Sequence, residues 1–151
     1  MIEIIPYSDE YAAVFKVMNL AWLDHYNLTE SHDLLILNNP RKTILESGGA
    51  IFLAKAGDEI VGSAAIINEG EGVFELAKMT VTAPFQGKGI SKMLLEKCIE
   101  TARLLHATKL ILFSNSQLTT AIALYRKYGF THVSVTDAPF LTADIKMELS
   151  L

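Results

Sequence analysis

Residues 81–95 read V-T-A-P-F-Q-G-K-G-I-S-K-M-L-L, the end of an apolar strand followed by a glycine turn and an amphipathic segment. We predict that the strand ends at Pro84 and that a helix begins near Lys88. The first turn of a helix has backbone N–H groups without partners and the positive end of the helix dipole, so it attracts anions. Gly87 and Gly89 would let a phosphate approach the backbone closely. The stretch therefore predicts a site for a phosphate-bearing ligand.

The size and composition of the chain are those of one globular domain, which we assign to residues 1–151. Half of the residues are hydrophobic and 20% are charged, as is usual in soluble proteins. A net charge of −4 without a basic run argues against a nucleic-acid partner. The single cysteine, Cys98, excludes an internal disulfide. No signal peptide is visible, and no apolar run approaches the ~20 residues that span a bilayer, so we expect a cytoplasmic protein with no membrane partner.

The apolar spacing predicts a mixed α/β sheet. A first strand at 2–5 precedes a helix over about 10–26, whose inward face we assign to Ala13, Val17, Leu20 and Trp22. Glycine-rich turns then separate three strands that form a meander. The remaining predicted elements are helical stretches at 29–37 and up to Glu46, the meander strands 50–56, 60–68 and 73–82, a helix over 88–106, a buried strand 109–113, a helix 119–128 and strands 131–135 and 143–149.

The glycine turn by itself leaves several ligands open. A P-loop would require G-x-x-x-x-G-K followed by Ser or Thr, and this string is absent. A dinucleotide fold would require a third glycine near the start of a βαβ unit, whereas this turn follows an antiparallel meander. A purely structural tight turn also remains open at this point.

A second motif narrows the choice. Gln86–Ser91 resembles the Q/R-x-x-G-x-G/A signature of the GNAT superfamily of acyl-CoA-dependent N-acyltransferases, and Ala121–Phe130 resembles its A-I-x-L-Y-x-x-x-G-F segment. Residues 74–81 resemble its central strand, so the resemblance covers essentially the whole chain. Two positions depart from the pattern: Ser91 replaces the last Gly or Ala, and Leu118 stands where many members have Asn. The resemblance implies a mostly antiparallel central sheet with a splayed pair of strands and helices on both faces.

The resemblance also implies acetyl-CoA as co-substrate and no metal. In such proteins the turn binds the pyrophosphate, and the pantetheine arm pairs with the edge of the central strand. Asn115, at the end of the facing strand, is then a side-chain contact. For Lys88, a solvated surface position remains an equal alternative. The implied cofactor-binding residues are Met79, Val81, Gln86, Gly87, Lys88, Gly89, Ile90, Ser91 and Asn115.

Two residues are candidates for proton transfer. By resemblance, Tyr125 is the acid that protonates the leaving thiolate, which suits a phenol with an ordinary pKa near 10; a packed core aromatic is the alternative. Glu75 on the central strand is the candidate base, acting through water, unless it faces solvent. We expect Cys98 to be a packed thiol rather than a nucleophile, because it lies on an apolar helix stripe.

The resemblance implies an N-acetyltransferase that transfers an acetyl group directly to a primary amine in a ternary complex. We favour a small-molecule amine, and a homodimer remains open. A protein or peptide acceptor is the alternative within the enzyme class, and a non-catalytic acyl-CoA sensor is the alternative outside it. The retained Tyr125 argues against the sensor. We expect the acceptor pocket to involve Trp22 and Tyr26, which lie four residues apart in the first helix.

Overall fold

The computed structural model describes residues 1–136 and 138–151, and its centre is a seven-stranded sheet. The strands are β1 (Ile2–Pro6), β2 (Ala50–Ala56), β3 (Glu59–Gly70), β4 (Val73–Val81), β5 (Lys109–Ser114), β6 (Thr131–Val133) and β7 (Ile145–Ser150). The helices are α1 (Ala12–His25), α2 (Ser31–Asn38), α3 (Ile90–Leu104) and α4 (Thr119–Lys127). Single turns of 3-10 helix at Asp9–Tyr11 and Ala83–Phe85 and a π-helical turn at Arg41–Leu45 complete the regular structure among these residues.

The strand order is β1-β2-β3-β4-β5-β7-β6, and every pairing except one is antiparallel. The exception is the parallel pair β4 and β5, which is connected through α3. These two strands pair only where Val73–Glu75 lies beside Lys109–Ile111. The rest of β4 has no partner on that side in the described residues, so the two strands form the splayed pair. The predicted fold class is therefore confirmed.

Two apolar clusters cover the two faces of the sheet. On one face, α3 packs through a stripe that includes Ile90, Leu94, Leu95 and Cys98, all almost fully buried. The spacing of this stripe is the helical period that the sequence shows. On the other face, α1 and α2 cover β2 and β3 in a separate cluster. The sheet is therefore the middle of three layers, and β4 packs against α3 in the first cluster and also contacts α1.

The predicted inward face of α1 is wrong in part. Val17 is 65% exposed and Ala13 is exposed, whereas Phe15, Met18 and Asn19 are buried. The segment A-A-V-F-K-V-M-N-L-A-W-L is apolar on almost every side, so its pattern does not distinguish one face. Packing against the sheet selects the large Phe15 instead.

The boundaries at the glycine turn also differ from the prediction. Strand β4 ends at Val81 and α3 begins at Ile90 rather than near Lys88. Gly87 and Gly89 have φ angles of +77° and +80°, a left-handed conformation that a helix cannot include. The turn is therefore longer than predicted, and the helix begins only after its second glycine. Strand β6 is also shorter, since it ends at Val133.

Candidate active site

A cavity of about 600 Å³ occupies the gap between the diverging ends of β4 and β5. Its wall is formed by both strands, by the glycine turn, by α1 and α4, and by the loop 138–144 before β7. It includes all but one of the residues that the sequence assigns to the site, namely Trp22, Tyr26, Glu75, Met79, Val81, Gln86, Gly87, Gly89, Ile90, Ser91, Asn115 and Tyr125. The exception is Lys88, which is exposed and lies with its Nζ 5.6 Å from the centroid of the Phe85 ring.

The glycine turn offers bare backbone at one end of the cavity. A Cβ atom placed on Gly87 or Gly89 would meet no atom within 4 Å, so the space beside both residues is open. Gly89 is the N-cap residue of α3, and the N–H groups of the first helical turn follow it. The side-chain amide of Gln86 donates to the carbonyl of Val81 at 3.0 Å and braces the turn. The arrangement suits a phosphate group held by main-chain donors.

The free edge of β4 leads from this turn into the cavity. The N–H of Thr82 donates to the carbonyl of Val61 on β3 at 2.9 Å. Backbone groups alternate in direction along a strand, so Val81 and Met79 direct theirs away from β3 and into the gap. Gln86 reaches the Val81 carbonyl from that side. The backbone positions that the sequence assigns to pantetheine therefore lie on an open strand edge.

A β-bulge in the middle of β4 shapes the gap. The register moves from Ser63 opposite Thr80 to Ala65 opposite Ala77, so β4 contains one extra residue. Lys78 has a φ of +53° at this point. The Ser63 hydroxyl donates to the Lys78 carbonyl at 2.7 Å and accepts from the Asn19 side chain at 3.1 Å. These buried polar groups satisfy the carbonyl that the bulge removes from the ladder.

A buried ion pair lies beside the bulge. The Lys78 ammonium contacts the Asp33 carboxylate, and the two side chains are only 5% and 2% exposed. The Phe140 ring covers the same ammonium, with Nζ 5.3 Å from its centroid. The sequence analysis missed this pair, because 45 residues separate its members. A lysine within the apolar run F-E-L-A-K-M-T-V was the only visible signal.

Glu75 is a buried carboxyl group and not a solvent-facing one. The residue is 5% exposed on β4 and lines the cavity. Burial, and then the negative charge of Glu69, raise the pKa of Glu75 to about 8, although the Lys78 ammonium acts in the opposite direction. A carboxyl group with a pKa near neutrality can both take up and release a proton at physiological pH.

Tyr125 on α4 lines the cavity, and its hydroxyl reaches toward β4. The oxygen lies 3.9 Å from the sulfur of Met79 on β4, and the ring packs at 5.8 Å from the Phe130 ring. Burial raises the pKa of Tyr125 to about 12, so the phenol keeps its proton at neutral pH. Cys98 lies in the core, and burial raises the pKa of its thiol to about 12 as well. A neutral, fully buried thiol is a packing group, as the sequence predicts.

Asn115 lines the cavity, but its side chain is engaged within the protein. Its Nδ2 donates to the Thr142 carbonyl at 2.8 Å and its Oδ1 accepts from the N–H of Gln117 at 3.1 Å. The first contact holds the loop before β7, and the second closes a local turn at 115–117. The predicted side-chain contact to pantetheine would therefore require Asn115 to give up one of them.

Glu30, which the sequence analysis did not single out, anchors the same loop. Its carboxylate accepts hydrogen bonds from the N–H groups of Leu141 and Thr142 at 2.7 and 2.8 Å and from the Thr142 hydroxyl. Burial alone would raise the pKa of Glu30, but the donors on Thr142 and Leu141 hold it below its ordinary value. The loop thereby places the Phe140 ring against the ion pair.

Trp22 of α1 and Tyr26, which directly follows this helix, lie on another wall of the cavity. Their rings are 5.0 Å apart, and their assignment to the acceptor pocket stays a prediction. His25 packs edge-on against Tyr26 at 4.8 Å. Among residues 1–136 and 138–151, no group of three or more His, Cys, Asp or Glu side chains is arranged to hold a metal ion. In the same part of the chain, no helix has the length and apolar character to cross a membrane.

A sheet with a splayed strand pair and a glycine turn before a helix is the architecture that the resemblance to acyl-CoA-dependent N-acyltransferases implies. The acetyltransferase (GNAT) family model matches residues 14–130, so the chain belongs to this family. N-acetylaspartate synthetase from Xenopus tropicalis is 36% identical over 93 residues, which is 61% of this chain and only 34% of that protein. The chain thus spans about a third of the length of that relative.

Solved structures agree with the fold. The acetyltransferase of the GNAT family from Staphylococcus aureus Mu50 superimposes with a TM-score of 0.92 at 24% identity, over 99% of both chains. The paiA N-acetyltransferase from Thermoplasma acidophilum, solved in complex with coenzyme A, has a TM-score of 0.77 at 18% identity, over 100% of this chain and 99% of that one. At these identities the similarity establishes the fold alone.

Proposed function

We propose that this protein transfers an acetyl group from acetyl-CoA to the primary amine of a small molecule while both are bound. The observation that carries the proposal is the position of the Tyr125 hydroxyl. It lies in the gap between β4 and β5, opposite the open strand edge and 3.9 Å from Met79. A protonated phenol at that place can donate its proton to the sulfur of a ligand that lies along the strand edge.

The residues present fit coenzyme A. The open backbone of Gly87 and Gly89 and the first turn of α3 would hold the pyrophosphate. The outward backbone groups of Met79 and the N–H of Val81 would pair with the amides of the arm, while the Val81 carbonyl accepts from Gln86. Ser91, on the first turn of α3, lines the cavity and could add a hydroxyl donor. When bound there, acetyl-CoA supplies an activated acetyl thioester.

Two side chains provide the proton transfers in this proposal. Glu75 takes the proton that the ammonium form of the acceptor must lose, directly or through one water molecule. The amine nitrogen then forms a bond to the acetyl carbon as the carbon–sulfur bond breaks, and Tyr125 gives its proton to the departing sulfur. The acylated nitrogen loses its second proton, which restores the tyrosine through water, and Glu75 releases its proton to solvent, so the cycle closes without a covalent enzyme intermediate. Holding both reactants together supplies much of the acceleration.

The loop before β7 favours a small acceptor over a protein segment. Glu30 and Asn115 tie this loop down at Thr142, and it closes one side of the cavity with Phe140 and Thr142. A peptide lying across the gap would meet this loop. We therefore keep the small-molecule amine as the acceptor.

The decisive variant is Tyr125→Phe, tested by release of coenzyme A thiol in the presence of a panel of primary amines. We expect kcat to fall by about 10²–10⁴-fold, the range of a lost general acid, while calorimetry shows unchanged affinity for acetyl-CoA. Tyr128→Phe is the matched control, because it removes a phenol hydroxyl near the end of the same helix. Within the described residues, the hydrogen-bond partner of that hydroxyl is Glu96. Thiol release that is equal in Tyr125→Phe and wild type would refute the assigned role. Tight binding without release for any amine would favour the acyl-CoA sensor.

A further inference from the structure

The part of the cavity beyond Tyr125, which we call the acceptor end, is lined by α1, by Asp33 of α2 and by the loop 138–144. Three aromatic rings contribute to its walls. The Trp22 and Tyr26 rings lie 5.0 Å apart in a tilted arrangement, and Phe140, which packs against His32 at 5.0 Å, lines the cavity from the loop. All three rings are partly buried. Such walls favour an apolar or aromatic body in the ligand.

The charges at the acceptor end are unfavourable for an acidic ligand. The charged residues that line the cavity, within the described part of the chain, are the carboxyl groups Asp33 and Glu75 and the lysines Lys78 and Lys92. Lys92 is exposed on the first turn of α3, at the end with the glycine turn. Only Lys78 is close to the acceptor end, and its ammonium is already bound to Asp33 and covered by Phe140.

A ligand carboxylate could reach the Lys78 ammonium only by displacing Asp33. That exchange would leave the Asp33 carboxylate, which is 2% exposed, buried without its partner. A ligand ammonium needs no such exchange, since aromatic faces attract cations. The acceptor end therefore selects for an amine and against an acid.

We propose that the acceptor is an arylalkylamine or similarly apolar primary amine that has no carboxylate next to its amino group. This inference rests on the proposed function and names the substrate class of the same site. It differs from the acceptor that the name of the N-acetylaspartate synthetase relative indicates for that protein. The aromatic rings hold the apolar body and attract the ammonium, and the ionised form of Glu75 can take its proton.

Trp22 allows the proposal to be tested by binding alone, because it is the only tryptophan of the chain. With coenzyme A bound, its fluorescence is followed while 2-phenylethylamine or L-phenylalanine is added; the two differ only in a carboxylate. We expect 2-phenylethylamine to bind at least about tenfold more tightly, because the carboxylate of L-phenylalanine would be buried without a free cation or would leave Asp33 unpaired. Equal or tighter binding of L-phenylalanine overturns the proposal, and so does the absence of any change with both compounds.

Thiol release is then measured with the same two compounds, with L-aspartate and with spermidine. These measurements distinguish the proposed substrate class from the proposed catalytic function. We expect the highest kcat/KM for 2-phenylethylamine. Preference for aspartate, with release that depends on Tyr125, refutes the substrate class and leaves the proposed function intact. Preference for spermidine refutes the role of the aromatic walls. Selective binding of 2-phenylethylamine without any thiol release supports the acceptor end and contradicts the catalytic proposal.

Phe140→Leu provides a variant that leaves the ion pair in place. We expect it to weaken binding of 2-phenylethylamine several-fold and to leave the affinity for coenzyme A unchanged, because Phe140 lies away from the glycine turn. Leu141→Ala is the matched control on the same loop, since Leu141 is 98% exposed. If both variants bind 2-phenylethylamine like wild type, Phe140 does not form part of the acceptor wall.

Discussion

Replacing Glu75 with glutamine should slow the enzyme and stabilise it at alkaline pH. The substitution keeps the shape of the protonated carboxyl group and removes its ionisation. Burial keeps the native carboxyl group protonated until pH about 8, whereas the ordinary value is 4.5. The native state therefore binds the proton more tightly than the unfolded state, and the contribution of this group to stability is fully present below the ordinary pKa. That contribution is lost as the pH rises through 8.

The size of the effect follows from the two pKa values. The rise from 4.5 to about 8 corresponds to a ceiling of about 5 kcal/mol across the whole titration. Lys78 offsets part of the cost of the ionised form, and this attraction is already included in the native value. Between pH 5 and pH 9 we expect the unfolding free energy of Glu75→Gln to gain at least about 2 kcal/mol relative to wild type.

Urea unfolding at the two pH values measures this difference, and kcat at saturating amine measures the chemical consequence. In wild type kcat should rise with pH through an apparent pKa near 8, and in Glu75→Gln this rise should disappear with a loss of about 10²-fold. Tyr125, with a pKa of about 12, stays protonated over the same range. Glu59→Gln, at an exposed strand position, is the control. Equal stability differences at pH 5 and pH 9 together with an unchanged pH profile would refute the reasoning.

Two further variants test the phosphate site and the ion pair. Gly89→Leu should abolish measurable binding of acetyl-CoA in calorimetry, because a side chain would fill the open space over the turn. Gly57→Leu is the control, since Gly57 has a φ of +61° and equally open surroundings. This control should carry the same backbone strain of about 1–2 kcal/mol and bind acetyl-CoA normally. Retained affinity in Gly89→Leu would contradict the assigned turn. Asp33→Asn should lose about 3–5 kcal/mol of stability in thermal unfolding, because its lysine partner stays buried and unpaired. Asp58→Asn, at an exposed position, is the control and should leave the stability unchanged. Equal stability of the two variants would show that the buried pair contributes little.

The sequence was most informative where local chemistry determines the structure. The glycines of the turn need a left-handed backbone, and the apolar stripe of α3 has the helical period, so both could be placed from residue types alone. The turn and the A-I-x-L-Y segment identified the family because each is a contiguous motif. The predicted limits of α3 were less accurate. Gly89 stays outside the helix because its backbone is left-handed, with φ +80°.

The parts that could not be predicted depend on contacts between distant segments. The face of α1 is selected by the sheet, which buries Phe15 and leaves Val17 exposed. The pairing of Asp33 with Lys78 joins two elements that share no local pattern. The engagement of Asn115 with Thr142 likewise depends on where the loop before β7 lies. Each of these features determines which groups remain free inside the cavity.

The bulge at Lys78 connects the two ends of the cavity. An extra residue increases the local twist of a strand, and β4 pairs with β5 only before this point, up to Glu75. Lys78 also directs its side chain toward Asp33. The bulge that opens the strand edge therefore also positions the Lys78 ammonium at the acceptor end. Its carbonyl would be an unsatisfied buried acceptor without the Ser63 hydroxyl, which Asn19 in turn supports. Ser63 in β3 and Asn19 in α1 are therefore polar residues in otherwise apolar elements, and they stabilise the bulge. A regular β4 would pair with β5 along its length and close the gap.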